Sequence, residues 1–436
     1  MVAARFLMVL CAGLAAQAAW AAAKAHASRA AAKGRVAHAR IVAIRFMGNK
    51  VTRASILRQQ MWIHVGDPVN ARLIARSRQA ILNLDLFQSV RTQLKPVPGG
   101  DILTIIVRER YYILPIPRLS RDANGDISYG GELRWDNIAG LNEYLDIVYQ
   151  TTHTFNGSTV RSGSLDYNYP RIAGTPYSFS ASFSRDVSPD NFLINGPGQA
   201  YYNYQSTAAA FTVSRFLRRN QPSTGWQVGL GMSSEQTDYG LLSGTPPYYS
   251  NLRRIDVTGF IGYSRVHNHI YSRSGQAFGY NWALGLRALG SQHDQSASQL
   301  FYEAYIPMGA PRHELDVRLE LGLSNGYHNN VYFLGGADTM RGYAYDSLAG
   351  KAMALANIQY LAPLFGSKPW RWAIFSDIGN AYASDSAIDL GDLGVDVGFG
   401  LRYTLNAFVH VTLRLDYGYA LTTGHRKLYG AGSDIF

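Results

Sequence analysis

At 436 residues, the chain has room for two or three average domains, or for one large β-barrel with a small companion. Its 29 Tyr, 43 Gly and only 16% charged residues favour strands and tight turns over helices. The net charge of +11 is local: ten Lys and Arg lie between Arg5 and Arg58, ahead of the first acidic residue, Asp67, and the other 31 basic residues balance 30 acidic ones. That distribution argues against a nucleic-acid docking face, which needs basic groups spread over one surface.

The first 27 residues combine an early Arg5, an apolar run from Phe6 to about Ala16, and small-x-small sites at Ala16–Ala18, Ala19–Ala21 and Ala25–Ala27. This is the build of a cleaved secretory signal, too short for a membrane span. An acid-free, arginine-bearing segment also fits a mitochondrial transit peptide, but the compact apolar block favours the secretory reading. Cys11, the single cysteine, lies inside that block, so the mature chain would have no disulfide and no thiolate site. Residues 28–39 read as a basic, Ala-rich tether. No later stretch offers about 18 consecutive apolar residues.

Residues 40–110 read as a small β-α-α-β-β domain. "IVAIRFMGNK" is a short alternating strand ending in a turn at Gly48-Asn49. "TRASILRQQMWI" follows as a helix with Thr52 at the N-cap and Ile56, Leu57, Gln60 and Met61 at helical spacing. Gly66-Asp67-Pro68 breaks it. "NARLIARSRQAILNLDLF" supplies a second helix with Leu73, Ile74, Ser77, Ile81 and Leu84 on one face, and the strands "FQSVRTQL" and "DILTIIVRER" complete the unit. This order, with Gly48, Asn49, Gly66, and Phe87 and Val90 leading into the second strand, resembles a POTRA domain. That module is the periplasmic polypeptide-binding unit of outer-membrane assembly proteins. The resemblance implies a sheet edge able to accept an extended client strand through backbone hydrogen bonds, although these residues also suit a purely structural role.

From 111 to 436, strand-like segments recur about every 20 residues. They fall at 111–119, 127–136, 142–151, 159–169, 176–185, 199–215, 224–236, 251–266, 278–289, 297–307, 313–325, 352–362, 370–382, 392–404, 408–420 and 426–436. Sixteen is an even number, as expected of an antiparallel barrel. In 409–419, Val409, Val411, Leu413, Leu415, Tyr417 and Tyr419 alternate with His410, Thr412, Arg414, Asp416 and Gly418. In 395–404, Val395, Val397, Phe399, Leu401 and Tyr403 oppose Asp396, Gly398, Gly400, Arg402 and Thr404. A soluble sandwich would bury the apolar stripes. A transmembrane barrel turns them to lipid and lines its lumen with the polar face. The arginines, carboxylates and glycines sharing one face favour the barrel, and the fold expected is mainly β: one POTRA-like domain followed by a 16-stranded antiparallel transmembrane β-barrel.

One segment breaks the alternation. "FLGGADTMRGYAYDS" places Gly335, Gly336, Arg341, Gly342 and Tyr343 between the eleventh and twelfth strands. With "FSDIGNAY" (Phe375, Asp377, Gly379) in the thirteenth, it resembles the outer-membrane barrels of the BamA/TamA and two-partner-secretion superfamily, the bacterial surface antigen family. Members carry Val/Ile-Arg-Gly-Phe/Tyr in this loop and Phe-x-Asp-x-Gly in this strand. The resemblance implies a loop folded into the lumen with its arginine on the strand's aspartate, and Asp377, sharing a face with Phe375 and Gly379 opposite Trp372, Ile374 and Ile378, should point inward. A guanidinium inside a barrel needs a fixed acceptor, which a carboxylate supplies in two-pronged form.

The chain departs from the family pattern in places. Met340 replaces a β-branched residue and Gln359 stands where relatives often carry Glu. Phe436 ends the last strand in the usual way, but Gly430, Gly432 and Asp434 take positions where apolar residues are usual, which would weaken the final seam. The function implied is outer-membrane protein assembly or polypeptide translocation, with a passive channel or a two-partner-secretion exporter as alternatives. The expected partners are the outer-membrane bilayer, extended polypeptide clients, and periplasmic chaperones or accessory subunits. No enzyme activity, cofactor or metal is expected: His153, His267, His269 and His313 are scattered, and no Gly-x-Ser-x-Gly nucleophile turn is expected.

Overall fold

The computed structural model describes residues 40–121, 127–153, 159–194, 200–217, 224–243, 251–327, 330–409 and 411–431. The signal and tether readings, and Phe436, lie outside the described residues.

The small domain runs β1 (Ile41–Met47), α1 (Ala54–Gln59), α2 (Ala71–Leu82), β2 (Phe87–Val97) and β3 (Gly100–Glu109). Its sheet has the order β1-β3-β2, with β1 parallel to β3 and β2 antiparallel to it. The helices bury Leu57, Ile74 and Ile81 against Ile41, Phe87, Val90, Leu103 and Ile105. Gly48 has φ +91°, and a Cβ there would sit 2.0 Å from the Val107 carbonyl oxygen, so only glycine fits this turn. The turn is further tied by Asn49, whose Nδ2 donates to the Thr52 carbonyl at 3.0 Å. Gly66, also at positive φ, donates its N–H to the Ile41 carbonyl at 2.8 Å and so seats the inter-helix turn on β1.

Two expectations for the first helix fail. It is only six residues long, and its N-cap is Arg53, with no side-chain cap. Thr52 is buried instead, its hydroxyl meeting the Tyr112 hydroxyl at 3.1 Å and accepting from Asn137 Nδ2 at 2.9 Å. Glu109 ties down the turn ahead of the helix, accepting from the N–H groups of Lys50 (2.9 Å), Val51 (3.1 Å) and Thr52 (2.7 Å). The second helix is capped as its sequence suggests, by Asn70 Oδ1 accepting from Arg72 and Leu73.

The remaining sequence forms β4 (Ile113–Arg121), β5 (Ile127–Ile138), β6 (Glu143–His153), β7 (Thr159–Tyr169), β8 (Tyr177–Ile194), β9 (Ala200–Phe216), β10 (Gly225–Ser243), β11 (Leu252–Asn268), β12 (Arg273–Gly285), β13 (Gln295–Pro307) and β14 (Glu314–Asn325). A detached hairpin follows, β15 (Tyr332–Leu334) with β16 (Leu348–Gly350), before β17 (Ala352–Pro363), β18 (Trp370–Tyr382), β19 (Gly394–Thr404), β20 (Thr412–Ala420) and β21 (Arg426–Ala431). Apart from that hairpin, β4 to β21 form one antiparallel sheet of 16 strands, each paired with its neighbour in sequence.

Burial along these strands runs opposite to that of a soluble protein. Leu133, Ile147, Leu165, Phe183, Leu230, Ile261, Leu300, Ile374, Phe399 and Leu415 are exposed, while Asp316, Asn357, Gln359, Asp377, Asp396 and Asp416 on the other face are buried. This is the inverted alternation of a membrane barrel, apolar outside and polar within. No helix among the described residues is long and apolar enough to cross a membrane.

Several strand boundaries need correction. The fifth strand runs on to Ile194 and the seventh to Ser243, beyond the expected 185 and 236. The ninth strand is Arg273–Gly285 rather than 278–289, because Arg287–Leu289 closes into a 3₁₀ turn. The fifteenth begins at Thr412, not 408. Val409 therefore leaves the lipid-facing stripe and is buried in the core of the small domain, and Val411 is buried just outside the strand.

Val409 marks a joint the alternation pattern could not reveal. Asn268 at the β11 end donates its N–H to Asn83 Oδ1 (3.0 Å) and its Nδ2 to Asp85 Oδ1 (2.6 Å), and its carbonyl accepts from Gln79 (2.8 Å). Asp85 also pairs with Arg110 at 2.8 Å, and Arg110 donates to Asn406 between β19 and β20 at 3.1 Å. On the other flank, Arg53 binds the carbonyls of Ala139 and Gly140 between β5 and β6, each at 3.0 Å. In a flat sheet the β5–β6 and β19–β20 turns would lie about 60 Å apart at the usual strand spacing. One 70-residue unit reaches both, so the sheet is curled round on itself, with the small domain seated on the rim.

The Glu109 carboxylate gives this unit a pH dependence. Burial raises the carboxyl pKa, but the hydrogen bonds from Thr52, Val51 and Lys50 outweigh it and hold the pKa below the usual 4.5. A carboxylate with a depressed folded-state pKa stabilises fully above the unfolded value and loses that contribution as pH falls through the folded one. Protease resistance of residues 40–110 in urea should thus decline below about pH 4.5, and Glu109→Gln should flatten the decline while lowering resistance at pH 7.

Candidate functional site: a loop held inside the barrel

The β15–β16 hairpin forms a neck, and residues 335–347 form its tip. Gly335 and Gly336 take φ of +113° and +98°. This turns the chain so that the Gly335 N–H reaches Thr339 Oγ1 at 2.8 Å. The turn carries Leu334, Met340 and Tyr343 into an apolar patch with Met353, Leu355 and Ala420 on the inner wall. The tip therefore presents an apolar underside to the barrel and leaves Arg341 pointing into the polar lining.

Arg341 has no solvent-exposed surface. Its Nε donates to Asp377 Oδ2 at 2.8 Å and its Nη2 to Oδ1 at 2.7 Å, while its backbone N–H adds a third bond to Oδ2 at 3.0 Å. Asn357 Nδ2 supplies a fourth donor to Asp377 at 2.8 Å. The guanidinium lies 3.5 Å from the centre of the Phe375 ring, so the aromatic of this strand motif forms a floor under the cation. Gly379, next on the same face, lets β18 pass beneath Leu334 and Leu355.

Around this fork lies a layer that alternation placed on the polar face without pairing its members. Arg402 binds Asp416 through both oxygens, at 2.6 and 3.2 Å. Arg414 donates to the Ala337 carbonyl at 2.8 Å and pairs with Asp338, gripping the loop from the other side. Asp396 accepts the Gly342 N–H at 2.9 Å. Arg341, Arg402 and Arg414 are thus offset by Asp377, Asp396 and Asp416, and Asp316 has Arg273 at 3.5 Å. Charge balance is needed here because desolvated, unmatched ions cost several kcal/mol each.

Gly342 is fixed by close approach. A Cβ there would lie 2.5 Å from the Asp396 Cβ. Gly418 on β20 completes the fit, since a Cβ at that position would strike the Arg341 carbonyl at 2.3 Å. Tyr343 bonds the Thr422 hydroxyl and accepts at its carbonyl from the Tyr429 hydroxyl at 2.6 Å. By contrast, Gly48, Asn49, Gly66, Phe87 and Val90 belong to the turns and core of the small domain, apart from this cluster.

Gln359 explains its own departure from the acidic residue expected there. Its Oε1 accepts from Arg341 Nη1 and Arg402 Nη2, both at 3.2 Å, while its Nε2 donates to Asp316 at 3.2 Å. A carboxylate could accept the two guanidinium bonds but would oppose Asp316.

One sequence expectation about catalysis also needs correction. Gly-x-Ser-x-Gly spacing does occur, at Gly322 to Gly326, but Ser324 lies within strand β14, one residue before its end, and its hydroxyl donates to the Lys351 carbonyl at 2.7 Å. A nucleophile turn joins a strand to a helix, and this segment does not. No group of His, Cys, Asp and Glu among the described residues could hold a metal ion.

A 16-stranded barrel with its polar face inward, a loop packed in its lumen and one β-α-α-β-β unit at its rim defines a POTRA-bearing outer-membrane-type β-barrel. Residues 137–428 match the Omp85 superfamily domain, and residues 39–110 match the POTRA repeat described as a surface antigen variable number repeat. The chain belongs to the Omp85 superfamily. Its fold is similar to that of CdiB from Escherichia coli, at 15% identity and a TM-score of 0.60 over 90% of this chain and 76% of that one. It is also similar to CdiB from Acinetobacter baumannii (16% identity, TM-score 0.54, 90% and 73% covered). A third likeness is BamA from Haemophilus ducreyi lacking POTRA domains 1–3 (16%, 0.52, 91% and 85%).

The Gln359 geometry gives a direct test. Gln359→Glu should lower barrel stability by about 1–3 kcal/mol, since it removes a buried donor and sets two carboxylates together. Adding Asp316→Asn to it should restore much of the loss. Urea unfolding of the purified barrel in detergent, followed by its loss of heat-modifiable gel mobility, measures both.

Proposed function

We propose that this protein works in the bacterial outer membrane as a non-enzymatic assembly or translocation factor for polypeptides, with its POTRA domain in the periplasm. The observation that carries this reading is the lumen loop. A passive pore is served by an open lumen, whereas here a buried arginine, a saturated aspartate and a matched layer of charges hold a loop inside the barrel. A structure that stabilises its own obstruction suits a channel opened by a client. The POTRA sheet supports the same reading: β1 and β2 are its edges, with β3 between them, so an extended client could add a strand by backbone hydrogen bonding. The client would be captured at that edge, beside the rim, and then inserted into the membrane or passed outward.

Quantitative comparison of the outer-membrane and secreted proteomes after depletion tests the proposal. Insertion predicts that a set of outer-membrane barrels falls in abundance. Export predicts that a secreted polypeptide accumulates in the periplasm instead. If neither changes, and the purified barrel conducts ions steadily with no increase on Arg341→Ala, the protein is a passive channel and the proposal fails.

A further inference from the structure

We infer that Tyr429 is a positioning residue that ties the last strand of the barrel to the lumen loop, so that the terminal strand is held in place only while the loop is docked. Among the described residues, strand β21 covers Arg426–Ala431 and is hydrogen-bonded to β20 alone. Among the described residues no register joins it to β4, the other end of the sheet. A short edge strand with one neighbour frays unless side chains hold it. Its outward residues do little of this: Leu428 is 65% exposed, and Arg426 lies 5.8 Å from the Tyr419 ring. Gly430 contributes no side chain.

Inward, the contacts converge on one residue. The Tyr429 hydroxyl donates to the Tyr343 carbonyl at 2.6 Å, and its ring meets Tyr345 edge-on at 5.1 Å between centroids. Both partners belong to the loop, not to the barrel wall. The loop binds Gln359 of β17 through Arg341, donates the Gly342 N–H to Asp396 of β19 and lies against Gly418 of β20, so it runs as a strap from β17 to β21. Withdrawing the Arg341 end would carry Tyr343 and Tyr345 away from Tyr429 and leave β21 with its single row of backbone bonds. Opening the lumen and loosening the seam would then be one event. This coupling is a property of the free barrel and holds whichever polypeptide the barrel handles, so its failure would leave the assembly and translocation reading intact.

The test is amide hydrogen exchange on the full-length protein in detergent micelles. Tyr429→Phe keeps the ring and removes the donor, and should speed exchange across residues 426–431 about fivefold, the effect of one hydrogen bond. Strands β17 to β19 should keep wild-type protection, which a general loss of stability would not allow. Arg341→Ala should speed the same segment at least as much, and the double variant should be no faster there than Arg341→Ala alone. Wild-type exchange of 426–431 in Tyr429→Phe would overturn the inference, as would equal acceleration of every strand or additive effects in the double variant. If Arg341→Ala fails to fold, the Tyr429→Phe result decides alone.

Discussion

The Asp377 carboxylate, with four hydrogen-bond donors on its two oxygens, is the interaction on which the rest of the lumen depends. Three of those donors come from Arg341 and the fourth from Asn357. A carboxylate stripped of water regains its lost hydration only when its lone pairs are filled, and here the loop fills them. The consequence is directional. Moving the loop outward leaves a buried carboxylate on β18 and a buried guanidinium in transit, so the docked position is strongly preferred. The neighbouring ions are arranged to preserve this. Gln359 bridges two arginines without adding a fifth carboxylate to Asp316, Asp377, Asp396 and Asp416, and Arg414 holds the loop from the opposite wall.

A second constraint acts at the other end of the barrel. The POTRA unit is bonded to turns on distant parts of the rim by Arg53, Asn83, Asp85 and Arg110, and the barrel lends it Val409 for its core. These contacts are mostly hydrogen bonds that involve a polar side chain, which fix orientation while contributing only about 1 kcal/mol each. The lumen is thus gripped from within by desolvated charge and covered at its rim by weaker polar contacts. Of the two, the rim contacts are the easier to break.

Much of this was legible in the sequence because a barrel strand has a period of two and only two environments. Alternation alone put Asp377, Asp396, Arg402, Arg414 and Asp416 on one face, and the broken alternation at Gly335 to Tyr343 marked the loop. Pairing was not legible. Which arginine meets which aspartate depends on strand stagger and on the path of a 13-residue tip, and neither leaves a periodic trace. The failures have the same origin. Thr52 looked like an N-cap because Ser and Thr favour that position locally, but the N-cap is Arg53 and the Thr52 hydroxyl is taken by Tyr112 and by Asn137, 85 residues away. Val409 and Val411 continued the stripe of β20 in sequence, yet the chain had already turned, and Val409 was claimed by the small domain. Tyr429 carried no signal at all, since one more tyrosine in a tyrosine-rich barrel stands out only when its hydroxyl is seen on the loop.

Everything in the lumen rests on the loop being held by the Arg341–Asp377 fork. The most direct measurement is a double-mutant cycle on unfolding in lipid vesicles, comparing Arg341→Ala, Asp377→Ala and the double variant with wild type. A buried, two-pronged pair predicts single losses of about 3–5 kcal/mol each and a double variant little worse than either, a coupling of at least about 2 kcal/mol. Losses that simply add, with no coupling, would show that the loop is not held by this pair.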